Sequence, residues 1–383
     1  MKKLYKSIPL LLIVMTMLGV FTSCNKNEDV SKGTPVITYV RITRPAASDS
    51  LIVSAGQGQL VAIIGDNLQE AKQIWFNDQQ SSLTPPYISK NSILVSVPTK
   101  VPVTITNKLK IIFANGDSLL YSFNVKISKP EIKSMDSEYV LDGKTATVRG
   151  NYFYLPLSVT FPGGAKGSNV TVDATNTVLT VTVPAGTVPG QITVTSNFGE
   201  TKSDFWFKDN RNIFISSDPY MGWWNAAMVV NSPGTTEVPA INGNYIRIIK
   251  NLGAWGWQEI AGGPASTMLP QSQNIPDDAI LNPSKYNFKF EVCTIKPYNG
   301  SGVLFNVGTQ DGDHGNYSWA PPYDTKGQWQ TVVIPYDEVV KAYTVKPIVN
   351  HDGYWSRVVF QGPTGLDCDM SFDNFRVVPK VSQ

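Results

Sequence analysis

The chain has 383 residues, 42% of them hydrophobic and 11% aromatic, with a formal net charge of +2. That length exceeds one ordinary domain and predicts two or three, and the apolar content excludes a disordered protein. No run of Lys or Arg offers the basic patch that nucleic-acid binding needs, so a polyanion is excluded as a partner.

The N-terminus comes first. Lys2, Lys3 and Lys6 precede an apolar run from Ile8 to Phe21 and then small residues, which predicts an export signal over 1–23 rather than a spanning helix. Its end, Phe21-Thr22-Ser23-Cys24, resembles a bacterial lipoprotein signal. That resemblance implies that Cys24 is acylated, that 24–34 is an acylated linker, and that the protein is tethered to a membrane without spanning it. The acidic pair in Asn25-Lys26-Asn27-Glu28-Asp29 is similar to the surface-export signals of Bacteroidetes lipoproteins. Loss of the signal takes the 32 basic residues to 29 against 30 acidic ones, close to neutrality. Two cysteines remain, Cys293 and Cys368; in an exported chain they are either a disulfide or two buried thiols, and the sequence leaves both open.

Downstream, short alternating runs replace any long 3.6-residue period. Leu179-Thr180-Val181-Thr182-Val183, Gln191-Ile192-Thr193-Val194-Thr195 and Tyr286-Asn287-Phe288-Lys289-Phe290-Glu291-Val292 are examples. The pattern predicts an all-β protein of sandwich type.

Two of the predicted units repeat each other. One runs from Pro35-Val36-Ile37 through Gly65-Asp66-Asn67-Leu68 and Trp75-Phe76 to Val97-Pro98, Asn115-Gly116 and Phe123. The other runs from Pro130-Glu131-Ile132 through Gly150-Asn151-Tyr152-Phe153 and Thr160-Phe161 to Val183-Pro184, Phe198-Gly199 and Phe205. The glycine-to-proline interval is 33 residues in the first and 34 in the second. These landmarks resemble the IPT/TIG family of immunoglobulin-like domains, which places such domains at 35–128 and 129–208. Neither holds a cluster of His, Cys or paired acids, so both are expected to be spacers, joined by the short, proline-stiffened Ser128-Lys129-Pro130.

From Arg211 the texture changes: residues 211–383 hold seven of the nine tryptophans and nine of the sixteen tyrosines. The segments around Trp329 and around Phe375 resemble two strands of jelly-roll carbohydrate-binding modules, which implies a larger jelly-roll-like β-sandwich with both aromatics in its core. Gly253-Ala254-Trp255-Gly256-Trp257-Gln258-Glu259-Ile260 reads differently. As a strand it sets Trp255, Trp257 and Glu259 on one side, and the carboxylate marks that side as wet. Paired exposed indoles want a cover, either a loop of the same domain or a sugar chain, since the C–H face of a β-linked pyranose suits an indole face. Gln258 and Glu259 would take hydroxyls. A second group of candidates sits on loop chemistry: Tyr298, Trp319, Tyr323 and, beside Trp223, Trp224, with Trp355 after a further glycine turn.

Catalysis finds little support. Glu259, Asp311, Asp313, Asp324, Asp337 and Glu338 fall in no recognisable constellation, and His314 and His351 are the only histidines. Asp311-Gly312-Asp313-His314-Gly315-Asn316 departs from the EF-hand pattern and reads as a tight turn, so no metal or other cofactor is expected.

Signal, tandem IPT/TIG-like units and tryptophan-rich β-module together resemble the surface glycan-binding lipoproteins of Bacteroidetes polysaccharide-utilisation systems. The resemblance implies a non-catalytic binder of a β-linked polysaccharide of xyloglucan, mixed-linkage glucan or mannan type. It also implies anchoring in the outer membrane, with a TonB-dependent transporter and a glycan-binding lipoprotein as partners. The rival expectations are an adhesin whose aromatics meet a protein, and a polysaccharide-cleaving enzyme.

Overall fold

The computed structural model describes residues 33–44, 50–223, 226–298 and 301–381. The export signal, Cys24, the acidic pair after it and the candidate Trp224 lie outside the described residues. The chain is almost all β and forms two compact units, one ending at Ile127 and the other starting at Ser128.

The first unit packs a sheet of Val36–Ile42, Leu60–Asp66 and Ser92–Ser96 against one of Gln79–Ser81, Ala71–Phe76, Lys108–Phe113 and Ser118–Ser122. Alternation buries Val61, Ile63, Ile93, Val95, Leu109 and Ile111 between them. The second unit opens with the same build. Its sheets are Glu131–Met135, Thr145–Asn151, Val178–Thr182, Ser168–Val172 and, opposite, Leu157–Thr160, Thr193–Ser196, Gly199–Lys202. The repeated glycines have one job in both sandwiches: a Cβ on Gly65 would stand 1.9 Å from the Val36 carbonyl oxygen, and one on Gly150 1.8 Å from that of Glu131. Strands Ser92–Ser96 and Val178–Thr182 stop two residues short of Pro98 and Pro184.

The rest of the second unit is a larger two-sheet sandwich. One sheet runs Val229–Val230, Tyr245–Leu252, Leu366–Pro379, Tyr286–Thr294, Gln330–Pro335, with Ile213–Ile215 also on Leu366–Pro379. The other runs Gln258–Gly263, Trp355–Phe360, Val303–Thr309, Tyr317–Trp319. Phe288, Phe290, Phe305, Phe360, Phe372 and Phe375 fill the space between. Trp329 is buried too, its indole N–H donating to the Pro239 carbonyl oxygen at 2.8 Å. Asp337 and Glu338 open the short helix Tyr336–Lys341. Acids suit its first turn. Cys293 and Cys368 are both buried and free, Cys293 against Tyr245 and Trp329, Cys368 in the main core.

Within this unit the second immunoglobulin-like domain is locked to the larger sandwich. Glu138 takes Lys289 Nζ at 2.5 Å on one oxygen and Arg376 Nη2 at 2.8 Å on the other. Arg376 also meets Glu291 at 2.9 Å, and Thr331 Oγ1 donates to Glu291 at 2.6 Å. All four charged side chains are buried, and such ions persist only when paired.

Candidate functional site

Among the described tryptophans three are exposed: Trp223 at 55%, Trp255 at 65% and Trp257 at 45%, all on the C-terminal sandwich. They gather along one edge strand of its smaller sheet, Gln258–Gly263. Trp255 and Trp257 lie in the turn that enters this strand. At its far end Trp223 N–H donates to the Gly262 carbonyl oxygen at 3.0 Å. Five residue steps separate Trp257 from Gly262, roughly 17 Å of extended backbone, room for several sugar rings.

The expected strand is thus corrected at its start. Residues 253–257 form a turn in which Gly256 N–H donates to the Gly253 carbonyl oxygen at 2.9 Å, and Trp255 has φ 58°. A bulky residue in that region is strained. Trp255 N–H nonetheless holds the Gly362 carbonyl oxygen at 2.7 Å, which fixes the turn to the neighbouring loop. The exposure expected for the two indoles is present, although strand alternation does not produce it. Gln258 needs a correction: it is buried, with its side-chain oxygen accepting from Lys250 Nζ at 2.8 Å and its side-chain nitrogen donating to the Glu259 carbonyl oxygen at 2.8 Å. It supports the turn rather than facing solvent.

Glu259 is half-buried and accepts the Trp257 indole N–H at 2.7 Å. Burial pushes its carboxyl up from the ordinary value, while that N–H and the nearby Arg357 pull the other way. The Arg357 guanidinium carbon lies 5.2 Å from the centre of the Trp257 ring, within cation–π range. Arg357 comes from the adjacent strand, opposite Gly262. A Cβ on Gly262 would stand 2.1 Å from the Ser356 carbonyl oxygen, and its φ is 114°, so only glycine fits here. Along that same strand Val358 and Phe360 point into the core, which leaves Trp355 and Arg357 to the other face. Trp355 meets Trp223 edge-to-face at 5.6 Å, and Trp223 Nε1 is anchored on Thr267 Oγ1 at 2.8 Å.

The loop aromatics are corrected as well. Tyr298 is fully buried, stacked on Trp319 at 5.3 Å, with its hydroxyl donating to the carbonyl oxygens of Ser301 and Trp319. Trp319 is buried against Phe290. Glycine- and proline-rich flanks suggested exposed loops, but Trp319 ends a strand paired with Val303, and the two rings close the end of the core. Tyr323 is half-buried, edge-on to Trp319, with its hydroxyl on Gln330. Arg357 was missed, since a single arginine two residues after a tryptophan carries no signal until the neighbouring strand is placed.

The surface is therefore a set of exposed indoles along a sheet edge, flanked by a guanidinium and a carboxylate. Exposed indole faces can accept the C–H groups of a sugar ring. Tandem immunoglobulin-like domains followed by a sandwich with such a surface define a class: multidomain β-proteins that display an exposed aromatic face. More particularly, residues 207–379 match the family of the surface glycan-binding protein B xyloglucan binding domain.

The whole-chain fold agrees. The surface glycan-binding protein PbSGBP-B of Prevotella bryantii is similar with a TM-score of 0.68 and 23% identity, over 91% of this chain and 100% of that one. SGBP-B from a complex xyloglucan utilization locus of Bacteroides uniformis gives 0.51 and 20% over the same shares. At these identities the likeness is one of fold. An IPT/TIG domain-containing protein of Bacteroides ovatus is 29% identical over 149 residues, 37% of this chain and 30% of that protein, so the matched region spans under a third of the relative's length.

Proposed function

We propose that the protein is a non-catalytic, cell-surface binder of a β-linked polysaccharide, of xyloglucan, mixed-linkage glucan or mannan type. The observation that carries this reading is the row of exposed tryptophans, Trp255, Trp257 and Trp223, along one strand edge beside Arg357 and Glu259. The family of residues 207–379, whose description names xyloglucan, supports the ligand class. Glu259 serves as a clamp for Trp257 rather than as one of a catalytic carboxylate pair: it accepts the Trp257 indole N–H and lies near the Arg357 guanidinium. Acylation at Cys24 would hold the chain on the outer membrane, with the first immunoglobulin-like domain and the linker as spacers. The captured polymer would pass to a TonB-dependent transporter working with a second glycan-binding lipoprotein.

The test is affinity electrophoresis of the mature chain through gels containing xyloglucan, mixed-linkage β-glucan, mannan or no polymer, with product analysis of the same mixtures. Retardation by one polymer without new reducing ends supports the reading. New ends would make the protein an enzyme, and no retardation by any polymer would leave the aromatic face to a protein partner.

A further inference from the structure

We propose that the second immunoglobulin-like domain carries a glycan contact of its own, centred on Tyr152. This inference rests on the polysaccharide-binding reading above and extends it to a domain expected to be a mere spacer.

The argument starts from the repeat. In the first domain the sequence Gly65-Asp66-Asn67-Leu68 leaves its strand by placing Asn67 at φ 59° and burying Leu68 completely. The second domain repeats the turn as Gly150-Asn151-Tyr152-Phe153, with Tyr152 at φ 60° and Phe153 completely buried. Asparagine tolerates the left-handed region, whereas a bulky aromatic there is strained. Tyr152 gains no core packing in exchange, since it is 41% exposed. Strain held at an exposed side chain, where the fold has a better residue available, points to a role in binding.

The surroundings say what is bound. Tyr154 lies 6.3 Å from Tyr152, and Phe198 packs edge-on against Tyr154 at 6.0 Å, so the ring belongs to an aromatic cluster. Beside it an open groove of about 900 Å³ is walled by Tyr152 and by six charged side chains: Lys129, Lys133 and Lys202 against Glu131, Glu200 and Asp204. Three of each sign give no net charge, which suits neither a polyanion nor a basic peptide. An aromatic ring beside a balanced, hydrogen-bonding wall suits a neutral polyhydroxylated chain. A polymer held at both places on one protein gains avidity, whereas a short oligosaccharide fills one place only.

The test compares the mature wild-type chain with Tyr152→Asn, which installs the residue the first domain uses, and with Tyr152→Phe, which keeps the ring. Calorimetric titrations use xyloglucan, mixed-linkage β-glucan and mannan polymers and a single-repeat oligosaccharide of whichever polymer binds. Tyr152→Asn is expected to weaken polymer binding about two- to tenfold, leave oligosaccharide affinity unchanged and hold or raise Tm, while Tyr152→Phe stays close to wild type. Polymer affinity unchanged in Tyr152→Asn overturns the inference alone, as does an equal loss for polymer and oligosaccharide. A wild-type chain that binds none of the polymers overturns the polysaccharide reading and this inference with it.

Discussion

Trp257 and Glu259 stand two residues apart and are joined side chain to side chain, the indole N–H donating to the carboxylate at 2.7 Å while Arg357 lies near the ring. The bond holds one exposed indole in a fixed pose before any ligand arrives, and a pre-organised aromatic loses little entropy on binding. Glu259→Gln keeps an oxygen to accept the N–H and is expected to change affinity little. Glu259→Leu removes the acceptor and should weaken polymer binding about threefold to tenfold, less than the full worth of one charged hydrogen bond because the ring itself is kept, at nearly unchanged Tm. Titration of the two variants with the same polymer checks this; equal affinities would show that the bond does not position the ring.

Trp255 offers a second test, because its strain and its exposure pull in opposite directions. Trp255→Gly relieves a left-handed backbone at φ 58° and removes an exposed ring. The expected outcome is a Tm equal to or above wild type together with weaker polymer binding. A fall in Tm would mean that the indole supports the fold instead.

Tyr298 and Trp319 should behave in the reverse manner. Trp319→Ala empties a packed corner of the core and is expected to cost about 3–5 kcal/mol of stability. Tyr298→Phe leaves the Ser301 and Trp319 carbonyl oxygens without their donor, at about 1–2 kcal/mol. Denaturant unfolding measures both. Folded Tyr298→Phe should bind polymer as wild type does, which would separate these aromatics from the binding face.

The contrast between those two groups shows how far the sequence reaches. Period-two runs such as Tyr286–Thr294 expose the all-β fold because their cause is local, and the glycines at 65 and 150, each met by a carbonyl of the paired strand, expose the tandem repeat because their spacing recurs. Burial of an aromatic is not local. Trp319 and Trp223 both sit among turn residues, yet one closes the core and the other faces solvent, a difference decided by which strand lies alongside. Arg357 is the extreme case, brought near Trp257 by the pairing of two strands about a hundred residues apart in sequence.

The ionic joint between the second immunoglobulin-like domain and the C-terminal sandwich predicts a pH response. Burial raises the Glu291 carboxyl from 4.5 to about 7, against the pull of Arg376. An acid whose folded pKa is raised holds its proton longer in the folded state. Its share of stability is therefore full below about 4.5 and is lost as pH rises toward about 7. Glu291→Gln should flatten the Tm-versus-pH curve in that window; an unchanged slope would remove Glu291 as its source. Glu138→Ala leaves Lys289 and Arg376 buried without their shared partner and is expected to cost about 3–5 kcal/mol.

The most direct test of the central claim is calorimetric titration of the mature chain, wild type and Trp257→Ala, with the polymer that retards it in affinity gels. The account predicts an affinity lower by about tenfold or more, as for a central aromatic contact, at an unchanged Tm. Equal affinity in a folded Trp257→Ala would contradict it, and the row of indoles would not be the binding face.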